Sequence, residues 1–134
     1  MIFEVEKKKV FSSDVGRSFD KNKDTIILLH GSGQSHVVWS LTDQYLSDQG
    51  YNVFALDLPG HGNSEGDSLN SIEEMAEWLE KVVTKIGINN LSILGHSQGC
   101  LVALEYINKF PKKIKKLIFV AGSYEIPVNK SLID

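Results

Sequence analysis

The chain has 134 residues, of which 42% are hydrophobic and 23% charged, with a formal net charge of −3. That length corresponds to one domain, with a core that buries about two-thirds of the unfolded chain's surface. The charge excludes a general electrostatic pull toward nucleic acid or an anionic membrane, and the short apolar runs fall far below a membrane span.

The opening "MIFEVEKKKV" lacks the apolar segment of a secretory signal, so a cytoplasmic location is expected. Residues 2–6 and about 9–15 read as two short strands, a hairpin at one sheet edge, and "RSFDKNKD" (17–24) as a polar connection. "TIILL" (25–29) is a continuous β-branched and apolar run, the mark of a strand covered on both faces. The glycine-rich turn "HGSGQS" (30–35) follows. Ser35 is placed to cap a helix in which Val38, Leu41, Tyr45 and Leu46 share one apolar face, and Gly50 ends it.

"YNVFAL" (51–56) is the next strand, followed by the turn-rich "DLPGHGNSEGDS" (57–68). Ser71 and Glu74 form a capping box. Behind it, Ile72, Met75, Ala76, Leu79, Val82, Val83 and Ile86 line one face of a helix that Gly87 stops. "LSIL" (91–94) is a strand, and a helix runs from near Ser97 to about Phe110, where Pro111 helps end it. The sole cysteine, Cys100, excludes an intrachain disulfide, suits a reducing compartment and reads as a small buried hydrophobe. "KKIKK" (112–116) is a solvated basic connection, and "KLIFVA" (116–121) is the last strand.

Strands alternating with helices predict an α/β fold, a mostly parallel sheet flanked by helices, in a single domain over 1–134. In such sheets ligands bind outside the carboxyl ends of the strands. The turns at 30–35, 57–66, 95–99 and 121–126 all follow strand ends and so converge on one edge.

Gly95-His96-Ser97-Gln98-Gly99 stands at that edge in the context strand, turn, helix. A turn sharp enough to put Ser97 at its apex brings the residues two before and two after it together, which small residues permit. The helix N-terminus adds unpaired N–H groups where negative charge would develop. Ser97 is the candidate nucleophile. The backbone N–H groups of Ser32 and Gln98 are the candidate oxyanion donors, and Gly31, Gly33 and Trp39 the candidate substrate-binding residues.

"LLHGSGQSHVVW", "DLPGHGNSEG" and "LGHSQG", in this order and spacing, resemble the α/β-hydrolase superfamily, and more narrowly its bacterial esterase/lactonase-like branch. The resemblance spans about residues 20–122. It implies a serine nucleophile acting on an ester, thioester or lactone without cofactor or metal, with a small acyl compound as partner. It also implies structural roles for Asp57, His61 and His30, with His96 turned away from the nucleophile. An aspartate in place of Ser97 would have implied a dehalogenase or epoxide hydrolase.

The superfamily's triad runs Ser, then Asp or Glu, then His. Here all four histidines (His30, His36, His61, His96) precede Ser97, and 98–134 holds only Glu105, Glu125 and Asp134 as acids. Some members of the superfamily carry the acid after the strand at 116–121, which makes Glu125 a candidate, although the usual place lies one strand later. The expectation is therefore a hydrolase fold truncated after the sixth strand, poorly active alone, whose strand at 116–121 is an exposed edge for self-association. Two other readings remain open: a non-catalytic binding protein that keeps the hydrolase front half, and an acyltransferase with the same nucleophile.

Overall fold

The computed structural model describes residues 1–120; the expected turn at 121–126 and Glu125 lie outside the described residues. Six strands and three α-helices follow one another as β1 (Ile2–Val5), β2 (Lys8–Phe11), β3 (Thr25–Leu29), α1 (Thr42–Asp48), β4 (Asn52–Leu56), α2 (Ile72–Ile86), β5 (Leu91–His96), α3 (Gln98–Lys109) and β6 (Ile114–Val120). β4, β3, β5 and β6 form a parallel sheet in that order. β1 and β2 pair as an antiparallel hairpin. Beyond Phe11 the hairpin's second arm crosses to β4, through a Ser12–Leu56 bridge and a Ser13 N–H bond to the Ala55 carbonyl at 2.9 Å.

Side chains alternate across the inner strands with the two-residue period of a pleated sheet. Ile27, Leu29, Phe54, Leu56, Leu91 and Ile93 face one layer, where Met75, Ala76, Leu79, Val82 and Val83 of α2 and Val102, Ala103 and Tyr106 of α3 pack on them. Ile26, Leu28, Val53 and Ala55 face the other layer and bury Trp39 and part of Leu46. β3 is buried over its whole length, which is why "TIILL" carries no polar alternation.

α2 matches its sequence pattern closely. Ser71 Oγ accepts the Glu74 N–H at 3.1 Å, and Gly87 closes the helix in the left-handed region at φ 83°. The Glu74 carboxylate reaches one residue further back than in a capping box and accepts the Asn70 N–H at 3.1 Å.

The single helix expected after Ser35 is instead two pieces. A 3-10 turn spans His36–Trp39, α1 begins at Thr42, and Leu41 between them has φ 76°. Val38, Leu41 and Tyr45 are exposed rather than buried, Leu41 at 85%. The cause is a pair of anchors three residues apart. The His36 N–H and imidazole are held by Asp57, while Trp39 is drawn into the core. Anchors at that spacing fit three residues per turn better than 3.6.

Candidate active site

β5 delivers the chain to Ser97, and α3 starts one residue later. Ser97 has φ 54° and ψ −117°, a conformation costly for a residue with a Cβ. Packing imposes it. A Cβ on Gly95 would sit 2.7 Å from the carbonyl carbon of Gly99, and one on Gly99 would overlap the Leu29 carbonyl. The elbow is thus wedged between β3 and the first turn of α3, and only glycine fits on either side. Ser97 is half-buried, and its hydroxyl makes no cap bond to the helix it opens.

The turn after β3 lies against this elbow, since a Cβ built on Gly31 would be 3.2 Å from Ser97 Cβ. Its amides are not equivalent. The Gly31 N–H donates to Gln34 Oε1 at 2.8 Å, and the Gly33 N–H to His61 Nε2 at 3.4 Å. The Ser32 N–H has no acceptor among the described residues. Its direction follows from peptide planarity. The Gly31 carbonyl of the same peptide accepts His30 Nδ1–H at 2.7 Å and the Gln34 N–H at 3.2 Å, so the Ser32 N–H points the opposite way. The Gln98 N–H, at the first helical position, also lacks an acceptor among the described residues. Two amides without an acceptor among the described residues thus sit one residue beyond Gly31, which lies against Ser97, and directly after Ser97.

The four histidines tie the turns together. His30 is fully buried, and its Nε2 accepts the Leu58 N–H at 3.0 Å, so Nδ1 carries the proton given to Gly31. Burial holds its pKa below the usual imidazole value. His61 is arranged alike, with Nδ1–H on the Pro59 carbonyl at 3.0 Å. In both rings Nε2 is occupied by a backbone donor and cannot take a proton from a serine. His36 gives Nδ1–H to the buried Asp57 carboxylate at 3.0 Å, and its ring packs 4.7 Å from that of Phe11. Asp57 also accepts the backbone N–H groups of His36 and Asn63. That pair has the chemistry of a base and its orienting acid. However, Asp57 follows β4 and Ser97 follows β5, two strand spacings and so about 10 Å apart along the edge.

The fourth imidazole, His96, lies 3.1 Å from Gln34 Oε1 through Nδ1 and edge-on to Trp39. Trp39 itself is core, 5% exposed, with its indole N–H unpaired among the described residues. Cys100 is buried under the elbow and gives its thiol hydrogen to the Gly95 carbonyl at 3.1 Å; burial pushes its pKa up, so it is no thiolate nucleophile. Neither Gln34 nor the His36–Asp57 pair stands out in the sequence. Their partners are 62 and 21 residues away, and no local spacing marks them.

The profile of the alpha/beta hydrolase fold matches residues 24–134. The chain belongs to the alpha/beta hydrolase fold family. A probable lysophospholipase of Arabidopsis thaliana, BODYGUARD 2, is 35% identical over an alignment of 113 positions that covers 78% of this chain and 24% of that protein. A 2-hydroxy-6-oxononadienedioate/2-hydroxy-6-oxononatrienedioate hydrolase of Klebsiella pneumoniae is 32% identical over 75% of this chain and 36% of its own length. Among solved structures, one from work on carboxylesterases of Nitrososphaera gargenis superposes with a TM-score of 0.83 over 98% of this chain and 49% of that one. At 22% identity the likeness is one of fold. This alpha/beta hydrolase chain thus spans about a quarter to a third of the curated relatives it matches. No helix among the described residues is long and apolar enough to cross a membrane.

Proposed function

We propose that Ser97 is the nucleophile of an acyl-enzyme hydrolysis of a small ester, thioester or lactone. The Ser32 and Gln98 N–H groups hold the oxyanion, and Gly31, Gly33 and Trp39 shape the ground beneath the acyl group. One observation carries the reading: a strained serine whose hydroxyl caps nothing, in a turn packed against Gly31, with the Ser32 and Gln98 amides lacking an acceptor among the described residues. None of the described residues is assigned as the general base or its acid: His30 and His61 have Nε2 occupied, His36 is held by Asp57 two strand spacings from Ser97, and His96 Nδ1 is turned to Gln34. Without a base, a serine site with an oxyanion hole still exceeds water by about 10³–10⁴-fold. The buried thiol of Cys100 is in keeping with a cytoplasmic site of action.

A fluorophosphonate probe tests this. The chain is expected to label slowly, at Ser97 alone, and Ser97→Ala to abolish the adduct. An adduct that survives in Ser97→Ala would remove this serine from the mechanism. Labelling at the rate of an ordinary serine hydrolase would make His36 or His96 the base. A second reading, a non-catalytic interaction protein, draws on β6, where Ile118, Phe119 and Val120 are 45%, 41% and 39% exposed at the end of the sheet. We propose that this edge pairs with a second copy of the chain.

A further inference from the structure

Gln34 has no role in the reading above, yet its side chain joins the two turns on which that reading depends. Its Oε1 accepts the Gly31 N–H at 2.8 Å and lies 3.1 Å from His96 Nδ1. The Gly31 amide can only donate, so the atom facing it is the carbonyl oxygen and the side-chain amide has one orientation. The same oxygen can accept only a proton from His96, so the His96 hydrogen sits on Nδ1 and Nε2 is bare. The Gln34 backbone N–H closes on the Gly31 carbonyl at 3.2 Å. Gly31 is thus gripped on both of its peptide groups by one residue, and that residue is fastened to the position before Ser97. Trp39, edge-on to the His96 ring at 6.3 Å between centroids, holds the ring from another side.

We propose that Gln34 is a positioning residue: its carboxamide oxygen latches the turn after β3 onto the Ser97 elbow, fixing the direction of the Ser32 N–H and the Nδ1–H tautomer of His96. Without the latch, the Gly31–Ser32 peptide keeps its bonds from His30 Nδ1–H and the Gln34 N–H, but the turn that carries it is no longer tied to the elbow, and the Ser32 N–H loses its fixed place relative to Ser97. The functional half rests on the hydrolase reading; the structural half does not.

Nuclear magnetic resonance on the 134-residue chain tests it. Two-bond proton–nitrogen correlations should show His96 protonated at Nδ1 in the wild type. They should show it shifted toward the Nε2–H form in Gln34→Leu and restored in Gln34→Glu, which keeps an acceptor oxygen. Exchange of the Gly31 amide should rise about tenfold in Gln34→Leu, the equivalent of one net hydrogen bond. The Ser97-dependent hydrolysis of p-nitrophenyl acetate should fall about tenfold in kcat with KM within about twofold, as expected for a donor used only in the transition state. An Nε2–H His96 in the wild type overturns the latch without need of any variant, as does Gly31 exchange unchanged in a folded Gln34→Leu. A latch seen by resonance together with hydrolysis indifferent to Ser97→Ala would sink the hydrolase reading and leave the latch standing.

Discussion

At the scale of single residues, the elbow is held by what its glycines lack. Gly99→Ala would drive a methyl group into the Leu29 carbonyl of the central strand. The expected cost is about 1–3 kcal/mol in urea unfolding, the usual penalty of overpacking. His30 gives a second expectation. Its pKa is lowered on folding from the ordinary 6.5, chiefly by burial, with the nearby His61 and His36 adding to the effect and Asp57 and the Gly31 bond opposing it. Between the lowered value and 6.5 the unfolded chain binds the extra proton, so stability rises with pH across that window. The contribution is complete above about 6.5 and is lost as the pH falls. The melting temperature should therefore drop from pH 7.5 to pH 5.5, and the drop should be smaller in His30→Gln. An equal drop in both would place the acid sensitivity elsewhere.

Among the elements, α2 owes its start to one hydroxyl. Ser71→Ala removes the acceptor of the Glu74 N–H and should cost about 1 kcal/mol, measured by thermal or urea unfolding. This helix was legible from the sequence because everything that shapes it is local: cap, period and glycine stop. The inner strands were legible for a related reason, since burial on both faces leaves a bare apolar run. The segment after Ser35 was not. Its periodicity suggested Val38, Leu41, Tyr45 and Leu46 as one face, but tertiary anchors at His36 and Trp39 override the helical period and leave only Leu46 of the four against the core. The same limit held at the candidate site. The glycines around Ser97 announce the elbow, whereas the occupancy of each amide and imidazole depends on partners far along the chain.

For the whole molecule, the sheet ends unequally. On the β4 side the hairpin covers the edge through the Ser12–Leu56 bridge, while on the β6 side Ile118, Phe119 and Val120 stand exposed. Among the described residues no strand pairs with the outer side of β6; an apolar edge of that kind templates strand pairing, and Lys115 and Lys116 oppose this only modestly. Sedimentation at micromolar concentration should show dimers or larger species, and a cooperatively melting monomer would show that the edge is protected. The strand order has a consequence in time as well as in space. β3 lies at the centre of the sheet, paired with β4 on one side and, from Thr25 opposite Leu91, with β5 on the other. At about 5–20 residues per second of synthesis, that second neighbour leaves the ribosome about 3–13 s after β3. For that interval a strand that is buried over its whole length in the finished fold waits with one flank bare. The nascent chain is thus most vulnerable before the elbow serine has been made, and a holding chaperone would act on this span of the chain first.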